Sequence, residues 1–299
     1  MFFVALCLLA HSAVPARSQS DPAAAWKPVD AALGRSGQMQ PGDVYKFAMP
    51  RKDMKIVKDG VTVMPGLALG SWLAFKKMGD EAMVMGDLVL TEDEIEPVML
   101  KLQQNGIEQT SIHNHLLGEV PRVIYMHVSG HGDPVVLARS LASALALTKT
   151  PLPSAAPTAA AVPQALDLRV AEVNQALGYT GKANGGILQF SVPRIEKITD
   201  GGMEIPPSMG TATAINFQPT GQGKAAISGD FVLLATEVNP VLRALRMHGI
   251  EVEAMHNHML FDQPHMIFMH FWANDDAVKL AQGLRAALNE TNSQKPLGK

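Results

Sequence analysis

Six of the ten histidines in this 299-residue chain lie in two copies of one short motif. The motif opens with Gly-Ile-Glu, continues with His-Asn-His and includes a third histidine further along the chain. The six are His113, His115 and His127 in the first copy and His256, His258 and His270 in the second. The copies are offset by 143 residues, and 11 of the 23 positions in 105–127 are identical in 248–270. Because unrelated core histidines would not recur at matching positions, we expect a duplicated site.

Three imidazoles in this pattern are typical of a metal site. His113 and His115 are two residues apart, so both project from one face if the segment is a β-strand. If the next strand pairs back antiparallel around a loop centred near Val120, His127 lies opposite His113 and Tyr125 opposite His115. Such a triad could share one ion, as in zinc and copper sites. The sequence therefore predicts a three-histidine site in each copy, with zinc or copper as the candidate ion.

Acidic residues accompany the histidines in both copies. The candidates are Glu119 and its counterpart Asp262 in the loop between the histidine strands, and Glu94 and its counterpart Glu237 at the start of a helix. Any of them could be a fourth ligand, orient an imidazole or act as a general base. Asp87 and Asp230 each follow a glycine, and for them the sequence favours a simple turn role.

Other functions fit the same residues. The histidines could be polar core residues that bond the backbone, or they could line an apolar pocket for a non-metal ligand or partner, beside Tyr125 and Phe268. A metal-dependent hydrolase would need an open metal position, with Glu94 or Glu119 as its base. The sequence shows no nucleophile elbow, P-loop or dinucleotide fingerprint. No catalytic residue or organic cofactor is therefore assigned, and whether the chain is an enzyme stays open.

The repeat extends well beyond the histidines. Matches at the same offset include Phe47 with Phe190, Arg51 with Arg194, and Gly86-Asp87 with Gly229-Asp230. Each copy is about the size of one domain. A stretch rich in proline and alanine separates them at 151–163, which is typical of a linker. The sequence thus predicts homologous domains at 27–147 and 170–290.

Each copy alternates strand patterns with two helix patterns. Strands are expected at 44–49, 81–90, 107–116 and 122–129. Pro97 is expected at the first position of a helix that ends at Gly106. A second helix is expected at 134–147 and, in the second copy, at 277–288. These patterns predict an α+β fold, in which each domain has a largely antiparallel sheet with two helices covering one face.

The first residues have the character of a signal peptide. An apolar run at 2–10 is followed by small residues, so we expect cleavage within 1–20. That run is too short to cross a bilayer, and no later apolar stretch is long enough. Cys7 is the single cysteine, and it follows Leu6, where a lipobox requires a small residue. We expect a periplasmic or secreted protein without a lipid anchor. The net charge of −3 offers no electrostatic footprint for nucleic acid.

Several segments together resemble a known bacterial family. They are the Pro-Gly-Leu-Ala-Leu-Gly-Ser-Trp segment at 65–72, Met-Gly-Asp-Leu-Val-Leu at 85–90, the step from Glu94 to Pro97, and His-Asn-His-Leu-Leu-Gly-Glu at 113–119. They are similar to the LppY/LpqO family, a domain of unknown function named after two exported lipoproteins. The resemblance covers about 27–290 and includes both copies. It implies export and a duplicated domain, and it brings no established activity.

Overall fold

The computed structural model describes residues 21–151 and 166–295. Within them the chain forms two similar α+β units, each with a six-stranded antiparallel sheet, as predicted. The signal peptide expected at 1–20 lies outside the described residues, as does all of the expected linker except Pro151. Of the helices in the described ranges, none has the length and apolar character needed to cross a membrane.

The first copy begins with a short 3-10 helix, Pro22–Trp26. Its helices are α1 (Lys27–Leu33), α2 (Pro65–Ala68), α3 (Glu92–Gln104) and α4 (Pro134–Leu145). Its strands are β1 (Gln38–Gln40), β2 (Val44–Pro50), β3 (Ile56–Lys58), β4 (Val61–Val63), β5 (Gly70–Met78), β6 (Glu81–Thr91), β7 (Glu108–His113) and β8 (Val123–Gly132). The main sheet has the order β1-β2-β5-β6-β8-β7, and β3 and β4 form a separate hairpin.

The second copy repeats this plan. Its helices are α5 (Val170–Leu177), a 3-10 helix at Pro207–Met209, α6 (Val238–Met247) and α7 (Ala277–Asn289). Its strands are β9 (Lys182–Asn184), β10 (Ile187–Pro193), β11 (Thr199–Asp200), β12 (Met203–Glu204), β13 (Ala212–Gly221), β14 (Lys224–Leu233), β15 (Glu251–His256) and β16 (Ile267–Asp276). The sheet order β15-β16-β14-β13-β10-β9 is equivalent to that of the first copy.

The helices cover one face of each sheet. In the first copy, Phe47, Met126 and Leu141 belong to one apolar core formed by sheet and helices. In the second, Phe271 and Leu284 belong to the equivalent core. The two predicted helices are present in each copy. Three further α-helices were not predicted: α1 and α5, which lie at the start of the two copies, and the short α2 of the first copy.

The start of α3 differs from the prediction. The helix begins at Glu92, so Pro97 lies inside it and not at its first position. Thr91 and Glu94 form a capping box, in which the Glu94 carboxylate accepts a hydrogen bond from the Thr91 backbone N–H at 3.0 Å. That cap satisfies the exposed N–H groups at the helix start, and the helix therefore begins before the proline. Its end near Gly106, where φ is +72°, agrees with the prediction.

The opposite faces of the two sheets pack against each other. Val89 and Tyr125 share an apolar cluster with Trp272 of the second copy. Met85 shares another with Phe268. The molecule therefore has four layers, in the order helices, sheet, sheet, helices. The face of β8 that carries His127 and the face of β16 that carries His270 meet in the middle layer.

Candidate metal centre

All six duplicated histidines meet between the two sheets. The shortest contacts between two histidine rings join the copies: His113 to His256 with centroids 3.6 Å apart, His115 to His270 at 3.8 Å, and His127 to His258 at 3.9 Å. Because each pair takes one ring from each copy, the six side chains form a single group, which we call the histidine cluster.

The predicted grouping of the histidines by copy needs correction. Within the first copy, the ring centroid of His113 lies 5.0 Å from that of His115 and 5.1 Å from that of His127. The ring of His256 in the second copy is closer, at 3.6 Å. Two groups of three histidines have nitrogens within 4.8 Å of one another, and both mix copies: His113/His127/His256 and His113/His115/His270. A third group joins Asp230 to His256 and His258. The face-to-face packing of the sheets, which the sequence pattern did not reveal, brings the two triads together.

The strand register also differs from the prediction. His113 pairs with Tyr125, and Ser111 pairs with His127. The ladder shifts at Thr110, and β7 ends at His113, so His115 lies beyond the strand. The pairing is displaced by two residues from the expected one, and a shift of two keeps every side chain on its face. His113 and His127 therefore still project into the same layer. Loop geometry sets this register, and the hydrophobic pattern does not encode it.

The asparagine of each His-Asn-His segment joins the two copies. The Asn114 side-chain amide donates to the Glu253 backbone carbonyl at 3.1 Å and to the Leu116 carbonyl at 3.1 Å. Its counterpart Asn257 donates to the Thr110 carbonyl at 2.9 Å and to the Met259 carbonyl at 3.0 Å. Each asparagine thus fixes its own loop and holds it to the other copy. No role was predicted for this asparagine, although it is duplicated together with the histidines and that duplication was a usable signal.

The carboxylates beside the cluster are Asp87 and Asp230. His115 Nε2 lies 3.4 Å from Asp87 Oδ2, and His258 Nε2 lies 3.1 Å from Asp230 Oδ2. The turn role expected for both aspartates is wrong, because they lie within β6 and β14. Asp87 pairs directly with His127 across the sheet. Burial raises the pKa of the Asp87 carboxyl, and nearby His127 and His256 oppose that effect.

The four acidic residues proposed from the sequence have other partners. Glu94 forms a buried ion pair with Arg51, with Oε2 2.7 Å from Nη1, and Glu237 pairs in the same way with Arg194. Glu119 accepts a hydrogen bond from the Val123 backbone N–H at 3.1 Å. Asp262 accepts one from the Met266 N–H at 2.7 Å and another from the His265 ring. All four carboxylates stabilise the backbone or pair with arginine. Among the described residues, none of the four has a hydrogen bond or ion pair to a histidine of the cluster.

The cluster favours uncharged imidazoles. Burial, followed by repulsion from neighbouring imidazoles, lowers the pKa of His113, His115, His127, His258 and His270 well below the usual value. A neutral imidazole has one N–H and one nitrogen with a free lone pair. At neutral pH the site is therefore rich in nitrogen lone pairs, the form in which histidine binds metals.

Two ring nitrogens of the cluster face each other. The Nδ1 atom of His270 lies 2.9 Å from the Gly229 carbonyl, and Nδ1 of His256 lies 3.2 Å from the Asn257 carbonyl. Because a carbonyl only accepts, both Nδ1 atoms carry the hydrogen. If both rings are uncharged, neither Nε2 atom carries a hydrogen, and these two Nε2 atoms are 2.9 Å apart. Two lone pairs at this separation repel unless a proton or a metal cation lies between them.

Other polar atoms of the site also lack partners. Among the described residues, buried atoms without a hydrogen bond include Nε2 of His113, His115 and His127, Nδ1 of His258, and Oδ1 of Asp87 and Asp230. A buried polar atom without a partner costs free energy. These nitrogens and carboxylate oxygens are also the donor atoms that bind zinc. The donor set therefore fits a metal ion.

Aromatic rings close the site on two sides. Tyr125 stacks on His115 with centroids 3.3 Å apart, and Phe268 stacks on His258 at 3.4 Å. The Tyr125 hydroxyl donates to the Ala68 carbonyl at 2.9 Å, so it points away from the histidine ring. These two residues were expected beside the histidines. They restrict ring rotation and limit the access of water to the site.

The sequence matches the family DUF1529, described as "Domain of Unknown Function (DUF1259)", over residues 27–147 and again over 171–290. The chain belongs to this family and carries its domain twice. Comparison with curated proteins gives no match.

Two solved structures are similar over most of their length. One is a trimeric bacterial microcompartment shell protein, PduB, at 10% identity and a TM-score of 0.20, with 86% of this chain and 89% of that chain covered. The other is EtuB from Clostridium kluyveri, at 10% identity and a TM-score of 0.19, with 84% and 90% covered. At these scores neither likeness carries an argument about this protein.

Proposed function

We propose that the chain binds a divalent transition metal at the histidine cluster, and that the two copies build the site together. The observation that carries this proposal is that both groups of three histidines whose nitrogens lie within 4.8 Å of one another, His113/His127/His256 and His113/His115/His270, take members from both copies. The Nε2 atoms of His256 and His270 also lie 2.9 Å apart, with both Nδ1 atoms bonded to carbonyls. A metal cation bound at either Nε2 atom would engage its lone pair and relieve the repulsion between the two nitrogens.

The surroundings of the rings support the same function. Imidazoles that bind metals commonly donate their second N–H to a backbone carbonyl, which fixes the tautomer. His270 does so through the Gly229 carbonyl. Nitrogen-rich sites suit zinc and copper, so these are the candidate ions. A metal would also bind several of the buried atoms that otherwise have no partner.

The alternative is a non-metal site in which the histidines are structural or line a ligand pocket. The stacks of His113 on His256 and of His115 on His270 favour it, because stacked rings can hold two sheets together without an ion. The unpartnered nitrogens of His113 and His127 weigh against it. A metal-dependent hydrolase has less support, since Glu94 and Glu119, the expected bases, are bound by Arg51 and by the Val123 N–H.

Zinc titration of the metal-free protein tests the proposal. We expect the wild type to bind Zn²⁺, and we expect the paired substitution His256→Ala/His270→Ala to reduce the affinity at least tenfold. The matched control is His265→Ala, since His265 is an exposed histidine close to the site in sequence. Wild-type protein that takes up no Zn²⁺, Cu²⁺, Ni²⁺ or Co²⁺ would rule out the metal and leave the alternative.

We further propose that the chain is of the LppY/LpqO type and is exported to the periplasm or the exterior. The support is in the sequence: the motifs at 65–72 and 113–119, and the apolar run at 2–10. Cell fractionation with N-terminal sequencing tests this proposal. We expect the mature protein to begin after residue 16 or close to residue 20, and cytoplasmic protein that begins at Met1 would contradict it.

A further inference from the structure

We infer that the histidine cluster is a two-ion centre, in which two equivalent sets of ligands each hold one divalent cation. The inference rests on the proposed metal binding and extends it. The first set is His113, His115, Asp87 and His270. The second set is His256, His258, Asp230 and His127.

The first support is that two of the candidate ligand groups share no residue. His113, His115 and His270 have nitrogens within 4.8 Å of one another, and Asp230, His256 and His258 meet the same limit. One ion can occupy the first group without using any ligand of the second. The arrangement therefore has enough donors for two ions at the same time.

The repeat supplies the fourth member of each set. Asp87 is the counterpart of Asp230, and it lies 3.4 Å from His115 as Asp230 lies 3.1 Å from His258. His127 is the counterpart of His270. The His127 ring lies 3.9 Å from the His258 ring, and the His270 ring lies 3.8 Å from the His115 ring, so the two contacts are equivalent. Each set thus takes its His-x-His pair and aspartate from one copy and its third histidine from the other.

A single central ion accounts for less of the site. The remaining group, His113, His127 and His256, takes members from both sets. An ion held there leaves His115, His258 and both aspartates without a role. In the two-ion arrangement, all the unpartnered atoms of the six histidines and two aspartates belong to ligand residues. Each set combines three imidazoles with one carboxylate, and this donor set suits Zn²⁺ and Co²⁺.

Counting bound ions by native mass spectrometry tests the inference. The full-length protein is freed of metal with a chelator, dialysed, and loaded with Zn²⁺ alone. We expect a main species with two ions per chain. A main species with one ion would overturn the two-ion inference and leave the proposed function standing. A chain with no ion would overturn both. His265→Ala, which removes a histidine outside both sets, is expected to keep two ions.

Two double variants test whether the sets are separate. His258→Ala/Asp230→Asn removes two ligands of the second set, and His115→Ala/Asp87→Asn removes the matching two of the first. We expect each variant to hold one ion and to keep the circular dichroism spectrum of the wild type. Loss of both ions from a folded variant would show one shared site and overturn the inference. If a variant does not fold, the wild-type ion count decides.

Discussion

His113 of the first copy stacks on His256 of the second, with ring centroids 3.6 Å apart and ring planes 17° apart. The two residues hold the same position in the repeated motif, so the two copies meet at equivalent points. This contact places the histidine cluster at the interface between the sheets and not inside either copy. The cluster therefore needs both copies, because a copy by itself supplies three of the six histidines.

Removal of the asparagine contacts should weaken the site indirectly, by freeing the segment that carries two of its histidines. Asn114→Ala deletes the hydrogen bonds to the Glu253 and Leu116 carbonyls, and these bonds hold the segment between His113 and His115. We expect a loss of about 1–3 kcal/mol in unfolding free energy, together with weaker zinc binding. Asn105→Ala is the control, since the Asn105 amide is exposed and donates to the Lys101 carbonyl of the preceding helix. Unchanged zinc affinity in Asn114→Ala would show that the asparagine is not a positioning residue.

The close approach of two strands makes Gly229 hard to replace. A Cβ atom added there would lie 2.0 Å from the Ala214 carbonyl oxygen and 2.8 Å from the Phe271 ring. The strands must separate to admit it, which also moves the Gly229 carbonyl that binds His270. We expect Gly229→Ala to lower the unfolding free energy by about 2–4 kcal/mol.

A glycine in an open position is the control for that variant. Gly70 has only a backbone oxygen at 3.9 Å from its added Cβ. Gly70→Ala should change the unfolding free energy by less than about 1 kcal/mol. Denaturant unfolding that ranked the two variants equally would contradict the packing described here.

A buried ion pair links the copies beside the histidine loop. Lys58 Nζ lies 3.3 Å from Glu253 Oε2, and both side chains are almost completely buried. Lys58→Met leaves the Glu253 carboxylate buried without its cation, so we expect a loss of about 3–5 kcal/mol. The double variant Lys58→Met/Glu253→Leu should be more stable than the single one, because it buries no unpaired charge. Denaturant unfolding compares the two, and a double variant less stable than Lys58→Met would contradict this account.

The Arg51–Glu94 pair should make stability depend on pH in acid. Burial raises the pKa of Glu94, but hydrogen bonds from Arg51 and from the Lys149 and Thr91 N–H groups outweigh it, so the folded pKa lies below the usual value. The unfolded chain then binds the proton first as the pH falls. This stabilisation is complete well above about pH 4.3, the ordinary glutamate pKa, and is lost as the pH falls towards the folded pKa.

Melting temperatures measured between pH 3 and pH 7 test that dependence. We expect the melting temperature of Glu94→Gln to fall less steeply than that of the wild type as the pH is lowered from about 5 to about 3. Glu92→Gln is the matched control, because Glu92 is an exposed carboxylate in the same helical turn. Identical slopes for wild type and Glu94→Gln would show that the ion pair adds no pH-dependent stability.

The sequence was sufficient for the repeat, the α+β class and the shared face on which His113 and His127 project. These depend on residue periodicity and on the 143-residue offset, which a single chain displays directly. It was not sufficient for the register of His113, which the shift at Thr110 and the loop before Val123 determine. Nor did it reveal that His113 would contact His256, because packing between sheets depends on shape. The aspartates were missed for a related reason: the glycine before Asp87 allows close strand packing rather than a turn, since its added Cβ would lie 2.6 Å from the Trp72 carbonyl.

The most direct test of the central claim locates the metal itself. A crystal of the zinc-loaded protein, measured at the zinc absorption edge, gives an anomalous map that shows each ion. The account predicts density between the sheets, about 2.0–2.1 Å from histidine nitrogens of both copies, with His113 or His256 among the ligands. Density only at other histidines, such as His131 or His265, or ligands drawn from one copy alone, would contradict it.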